Sequence, residues 1–187
     1  MYTIPIILGT VRTGRQSEKA AKYIESMFRR STQILTELLD LRDWNFPFLS
    51  QRYRFQDNLP KQLRDFSEKM DGADAVVIVA PEYNSGYPGV LKNALDHFLP
   101  EFTRKPIGLV TVSSGMFGGI NCMQQLRQVC HGLDAFAIPM GLAIPYIGEV
   151  FDEQGVPVSE AFEVRGKQFL DELLWYTEAI TDRRNKQ

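Results

Sequence analysis

DAVVIVAPEYNSGYPGVLKNALDHF, residues Asp74–Phe98, is the stretch on which the fold turns. From Ala75 to Ala80 every residue is apolar, with no polar alternation, the pattern of a strand buried on both faces. Val90, Leu91, Ala94, Leu95 and Phe98 then recur at helical spacing. Between strand and helix lies PEYNSGYPG, polar, aromatic and rich in Gly and Pro. A plain connector does not need Glu82, Tyr83 and Asn84 in a row, so the segment is either an ordinary strand-to-helix loop or the floor of a binding site.

The same alternation extends in both directions. Ile4–Leu8 is a short apolar run ended by Gly9, and Ala20, Ala21, Ile24, Met27 and Phe28 share a helical face. A second strand is expected near Gln33–Asp40, followed by a helix through Leu59, Leu63, Phe66 and Met70. Ile107–Val112 reads as a fourth strand, Ile120–Cys130 as a helix, Phe136–Pro139 as a short fifth strand, and Phe162–Ile180 as a closing helix. Five strands alternating with five helices, the strands apolar throughout, predict an α/β fold: a three-layer, doubly wound sheet of five parallel strands with helices on both faces. Such a sheet takes ligands beyond the carboxyl ends of its strands. That directs attention to GTVRTGRQS after strand one, PEYNSGYPG after strand three and SSGMFGG after strand four. The connection after strand two, DLRDWNFPFLSQRYRFQDNLP, is long enough to suggest a lid or an interface.

Composition narrows the classes. A chain of 187 residues fits one domain, 1–187, with 44% hydrophobic and 24% charged residues, ordinary for a soluble globule. The net charge of −2 makes no electrostatic case for nucleic acid or an anionic membrane. No apolar run is long enough to span a bilayer, and MYTIPIILGT does not read as a signal peptide. The cysteines, Cys122 and Cys130, form no CxxC and have no histidines at ligand spacing, so no metal site is expected and a reducing cytoplasm suits them.

GTVRTGRQS, Gly9–Ser17, joins a strand to a helix N-terminus and holds two arginines, three hydroxyls and two glycines. It is either a helix cap, with Ser17 as N-cap and solvated arginines, or a phosphate cradle. The density of donors favours the cradle. Gly9 and Gly14 have the spacing of a P-loop, but Arg15 replaces its lysine and Ser17 falls one place late. Nor is any apolar strand expected to end in the Asp that would hold magnesium, since strand three ends in Ala80-Pro81. GxGxxG fails because Thr10-Val11 follows Gly9. A monophosphate held by hydroxyls, backbone N–H groups and an arginine fits best, and that is what FMN requires of a flavodoxin-like sheet. The flat flavin ring then needs an aromatic or apolar face and N–H donors, for which Tyr83, Ser113, Ser114 and the glycines Gly115, Gly118 and Gly119 are placed.

With these motifs assembled, the chain resembles the NADPH-dependent FMN reductase family of flavodoxin-like quinone and azo-dye reductases, over about residues 3–180. PEYN followed by a Pro and LKNALD carries most of the resemblance; the phosphate loop and SSGMFGG carry the rest. It implies that Thr10, Arg12, Arg15, Gln16 and Ser17 hold the phosphate. Pro81, Glu82, Tyr83 and Asn84 would run along the ring, and Ser113, Ser114, Gly115, Gly118 and Gly119 would close its other side. Gly86 and Tyr87 depart from the second Ser or Thr of many members, which bears on substrate-side contacts.

The implied activity is a ping-pong transfer of hydride from NADPH or NADH, through FMN, to a small-molecule acceptor such as a quinone, azo compound, free flavin or metal oxyanion. The cofactor does the chemistry, so no catalytic side chain is assigned and His97 and His131 are left out. Backbone N–H groups at Gly118 and Gly119 are expected to stabilise the negative charge of the reduced ring. The LKNALDHFLPEF helix and the aromatics Trp44, Phe46, Phe48, Tyr53 and Phe55 predict a homodimer or homotetramer. Two other classes stand beside this reading: a flavodoxin-type electron carrier, for which −2 is a weak docking charge, and a non-catalytic flavin sensor.

Overall fold

The computed structural model describes residues 1–52, 60–152, 155–184 and 186. In chain order these form β1 (Tyr2–Thr3), β2 (Ile6–Leu8), α1 (Ser17–Arg29), β3 (Ile34–Leu35), β4 (Leu38–Asp40), α2 (Leu41–Trp44), α3 (Lys61–Asp71), β5 (Val76–Pro81) and α4 (Gly89–Asp96). There follow a 3-10 turn (Pro100–Phe102), β6 (Pro106–Val112), α5 (Ile120–Gly132), β7 (Phe136–Ala137), β8 (Leu142–Ile144), α6 (Ile147–Val150) and α7 (Glu160–Arg184). Strand order is β4-β2-β5-β6-β7, with β8 also on β6, and every pairing is parallel. The expected doubly wound sheet is therefore present.

Three of its five strand positions are interrupted. Between β1 and β2, and between their partners β3 and β4, the Ile4 carbonyl accepts from the Thr36 hydroxyl at 2.8 Å; yet Tyr2↔Ile34 and Ile6↔Leu38 keep one register. The fifth strand, expected at Phe136–Pro139, instead stops at Ala137 and resumes as β8. Ile107 pairs with Ala137 but Val110 with Leu142, so two extra residues are looped out between them. The one-turn helices α2 and α6 carry no apolar periodicity of their own.

Side chains of each strand alternate between two cores. Ile6, Leu8, Val77, Val79, Val110 and Ile144 face α1 and α7. Ile7, Leu39, Val76, Ile78, Ile107 and Leu109 face α3, α4 and α5. The second core takes much of what the sequence offers as interface. Leu91, Ala94, Leu95 and Phe98 of the α4 region are buried, and Trp44 and Phe46 meet Phe66 edge-on at 5.2 and 5.1 Å. His97, expected at an interface or the surface, is buried within the protomer with Nε2 3.0 Å from the Pro47 carbonyl. Asn93 holds the same loop, donating to the Pro47 carbonyl at 2.9 Å and accepting from Leu49 N–H at 3.0 Å. Phe48, on that clamped loop, is 93% exposed, whereas Tyr53 and Phe55 lie outside the described residues.

Beneath the sheet, the buried Lys105 ammonium donates to the carbonyls of Met70 and, at 2.9 Å, of Asp71, closing the C-terminus of α3. Burial, seconded by Arg184, lowers its pKa to about 8 against the opposing pull of Asp71, Asp74 and Glu101. Below pH 8 the folded and unfolded chains both carry this proton. Between about pH 8 and the unfolded value of about 10.4, only the unfolded chain does, so the Lys105 contribution to stability rises with pH. The difference in urea-unfolding free energy between the native chain and Lys105→Met should therefore shift toward the native chain from pH 7.5 to pH 10. A difference that stays flat would contradict this assignment.

Candidate functional site

Each of the first, third and fourth strand positions ends by carrying its ladder one bond into a loop. Gly9 N–H donates to Val79 at 2.8 Å, and Glu82 N–H to Val112 at 3.0 Å. The loops therefore start from a rigid edge and converge on a cavity of about 300 Å³. A larger cavity of about 470 Å³ lies between α1 and the segment at Gly155–Pro157, but it touches neither PEYN nor the loop after β6. The smaller one has the position that parallel-sheet chemistry demands.

In the first loop, Arg12, Arg15, Gln16 and Ser17 line this cavity. Helix α1 starts at Ser17, and its N-cap is Gln16, in helical conformation with no side-chain cap bond, so Ser17 is not the N-cap. The Ser17 hydroxyl is buried and has no hydrogen-bond partner among the described residues. Arg12 is exposed, its guanidinium 6.0 Å from the centroid of the Tyr83 ring, and it makes no ion pair among the described residues. Arg15 differs. Its Nη1 donates to the Thr10 carbonyl and, at 2.8 Å, to Asp40 Oδ1; its Nη2 donates to Asp40 Oδ2; and its Nε lies 3.6 Å from Glu18. The hydrogen bond to Asp40 raises the Arg15 pKa. Burial alone would raise that of Asp40, but the bonds from Arg15 and from Arg42 N–H outweigh it and hold it below the usual carboxylate value. Strand β4 does end in an Asp at the ligand edge; both its oxygens are engaged by Arg15.

PEYN forms a tight turn. Tyr83 and Gly86 exchange both backbone hydrogen bonds, at 2.8 and 3.0 Å, and Asn84 and Ser85 have φ of 49° and 63°. Two successive left-handed residues make this a type I′ turn, suited to Asn. Neither residue caps α4, whose N-cap is Pro88. Pro81, Glu82 and Tyr83 line the cavity; Asn84 sits at the exposed tip. The Tyr83 hydroxyl is 2.8 Å from Thr10 Oγ1, which places the ring beside the first loop. Glu82 accepts hydrogen bonds from Asn121 N–H at 3.0 Å, Cys122 N–H at 3.1 Å and Asn121 Nδ2 at 3.3 Å, so its carboxylate serves the N-terminus of α5. Gln125 adds a bond to the Ser85 carbonyl at 2.8 Å.

From the loop after β6, Ser113 and Ser114 line the cavity, joined by Ile147 of α6. Gly115, Gly118 and Gly119 are not among the lining residues. Gly118 has φ +62°, and a Cβ there would sit 2.7 Å from Ile144 N; Gly119, φ +81°, is the N-cap of α5. Both thus have a packing role, Gly118 seating the loop on β8 and Gly119 seating it on the end of β6, where a Cβ would sit 3.0 Å from Thr111 Cβ. Burial raises the Cys122 and Cys130 thiols to about 12, leaving them unreactive near neutral pH. Asp40, Gln125 and Ile147 were missed by sequence reasoning. Asp40 alone had a usable signal, a carboxylate at a strand's carboxyl end.

Fold and cleft define a flavodoxin-like α/β protein with a polar cleft at the carboxyl edge of its sheet. The family profile of the NADPH-dependent FMN reductases matches residues 2–148, and the chain belongs to that family. It is 37% identical over 134 residues to an NAD(P)H-dependent FMN reductase of Schizosaccharomyces pombe, covering 67% of this chain and 64% of that protein. The NAD(P)H-dependent FMN reductase LOT6 of Saccharomyces cerevisiae is 31% identical, covering 86% and 93%. The quinone reductase of Escherichia coli K12 is 32% identical, covering 79% and 84%. Among solved structures, FerB, a flavoenzyme NAD(P)H:(acceptor) oxidoreductase of Paracoccus denitrificans, superposes with a TM-score of 0.81 at 20% identity, covering 96% and 98%.

Because Glu82 supplies three acceptor contacts at the start of α5, Glu82→Ala should lower stability by about 1–2 kcal/mol, and Glu82→Gln by less, since an amide oxygen still accepts. Urea unfolding of the apoprotein measures both. Equal losses for the two substitutions would mean that charge, rather than acceptance, is what α5 requires.

Proposed function

We infer that the protein is an FMN-dependent NAD(P)H oxidoreductase that passes hydride from NAD(P)H, by way of bound FMN, to a small-molecule acceptor. The observation that carries this reading is a buried Ser17 hydroxyl without a partner among the described residues, at a helix N-terminus, in a cavity that the exposed Arg12 also lines. A phosphate monoester satisfies both, and the helix N-terminus favours its charge. The residues present therefore fit the FMN of the family.

Ser17, Gln16 and Arg12 would hold the phosphate, with backbone N–H groups of the loop. Pro81–Asn84 and Ser113–Gly115 would flank the ring; Glu82, Tyr83 and Ser113 spend their N–H groups on the sheet and the turn, so the N–H groups of Ser114 and Gly115, which have no partner among the described residues, would be the ones to meet its polar edge. When bound, FMN supplies a ring that accepts a hydride and returns electrons to an acceptor. The chain's own part is to bind, orient and shield that ring; no side chain in the cavity is needed as acid or base. One cleft serving donor and acceptor in turn gives ping-pong kinetics. Quinones, azo compounds, free flavins and metal oxyanions are the acceptor classes this predicts, with the whole chain acting as one FMN-binding unit in a reducing compartment such as the cytoplasm.

Phe48, Met116, Phe117 and Tyr146 are exposed on loops that include those bordering the cleft. They support a homodimer, or a dimer of dimers, in which a second copy walls the flavin. Sedimentation at micromolar concentration should show the dimer; a monomer would remove this part of the proposal.

Protein reconstituted with FMN should absorb near about 370 and 450 nm, as oxidised flavins do. NADPH consumption in the presence of a quinone should then give parallel double-reciprocal plots. Bound flavin with almost no turnover would mark an electron carrier or a sensor instead, and failure to bind FMN would defeat the reading. Arg12→Ala should weaken FMN binding by about 1.5–3 kcal/mol, the worth of a charged hydrogen bond to phosphate. Flavin fluorescence titration measures it.

A further inference from the structure

We propose that Asp40 is a positioning residue of the phosphate site: it takes up the Arg15 guanidinium, fixes the Gly9–Gln16 loop in the shape that aims Arg12 and Ser17, and removes Arg15 from the groups that bind the phosphate. This rests on the functional reading above and specifies how its anion site is built.

Arg15 and Asp40 form a forked pair, two parallel N–H···O bonds, with the arginine side chain only 2% exposed and the aspartate 19%. The same Arg15 Nη1 donates to the Thr10 carbonyl, so the guanidinium ties the two ends of the loop together across five residues. Asp40 Oδ1 also accepts from Arg42 N–H at 2.9 Å, which caps α2. Arg42 Nη2 in turn donates to the Arg12 carbonyl at 3.2 Å. A continuous set of bonds thus runs from the end of β4 to the backbone of both Thr10 and Arg12.

Charge points the same way. Arg15 faces Asp40 directly and Glu18 at 3.6 Å, so its positive charge is already answered by two carboxylates. Turning Arg15 toward a phosphate would strand Asp40 as a largely buried carboxylate beside a second anion, a costly arrangement. Arg12 has no such tether among the described residues, and its guanidinium is exposed beside Tyr83. The resemblance assigns both arginines to the phosphate; the geometry divides them into one that binds and one that holds.

The two roles separate in binding measurements on the intact chain, made well below the melting temperature. FMN and riboflavin, which differ by the phosphate, are titrated against the native chain, Asp40→Asn, Arg15→Met, the double variant and Arg15→Lys. The expected result is that Asp40→Asn and Arg15→Met each weaken FMN by about tenfold or more while riboflavin stays within about twofold, because only the phosphate loop has lost its shape. The double variant should be no weaker than the weaker single variant. Arg15→Lys should behave like Arg15→Met, since it keeps the charge but loses the fork.

Three results would overturn the proposal. FMN binding to Asp40→Asn that equals or exceeds the native value would show that a released Arg15 serves the phosphate directly. Native affinity in Arg15→Lys would show that charge alone suffices, and this arm stands if Asp40→Asn does not fold. Equal losses for FMN and riboflavin would mark the pair as merely structural. Failure of the native chain to bind FMN would instead strike the functional reading itself.

Discussion

Strand β5 is hydrogen-bonded along both edges, to β2 on one side and to β6 on the other, and five of its six residues are buried. A strand so confined cannot slide or tilt without breaking two ladders and two cores at once. Its register therefore dictates where three loops begin. Leu8 lies opposite Val79 and Val112 opposite Pro81, so the first loop, PEYN and the loop after β6 leave the sheet within a few residues of one another. Loops without such a floor would hold backbone donors only loosely. Here the first amide of each neighbouring loop is still part of the sheet, and precision at the cleft is inherited from the core.

What distinguishes the cleft from an ordinary loop cluster is which polar groups remain unused. Most of the polar side chains near it answer to one another. Thr10 meets Tyr83, Glu82 meets α5, Gln125 meets the Ser85 carbonyl, and Arg15 meets Asp40. Buried polar groups are ordinarily satisfied in this way. Against that background the buried, unpartnered Ser17 hydroxyl and the untethered Arg12 are informative. They are the chemistry left over once the scaffold's own demands are met, and the proposed function rests on that leftover set. Counting donors in GTVRTGRQS cannot make this division, because Arg12 and Arg15 look alike until a partner 25 residues away is seen to occupy one of them.

The limits of legibility follow from the same distinction between local and distant information. Unbroken apolar runs such as Val76–Ala80 announce buried parallel strands, and the loops after them stand out by composition, so sheet, layers and site edge could all be read from the residues. The second half of the fifth strand could not: Leu142–Ile144 is a three-residue strand after a two-residue bulge, held by its neighbour β6 rather than by its own pattern. Gly118 and Gly119 read as open approach to a ring, whereas the structure also needs them so that the loop can pass against Ile144 and turn into α5. His97 and the aromatics of the second connection looked like interface because nothing local shows that Phe66 and Phe98 lie beneath them.

Tyr83 gathers these threads. Its hydroxyl is bound to Thr10 and its ring lies beside Arg12, so the aromatic group of PEYN is joined to the first loop. The residues on either side of it look the other way: Glu82 reaches α5, and the turn at Asn84-Ser85 is held by Gln125. PEYN is thus the piece that fastens the phosphate end of the cleft to the end formed by the loop after β6. Its run of Glu, Tyr and Asn, excessive for a connector, is what such fastening requires: a carboxylate for a helix N-terminus, a phenol for a buried threonine and a residue at ease with positive φ. The side chains of PEYN build the cleft, while the N–H groups of its Glu82 and Tyr83 complete the sheet and the turn.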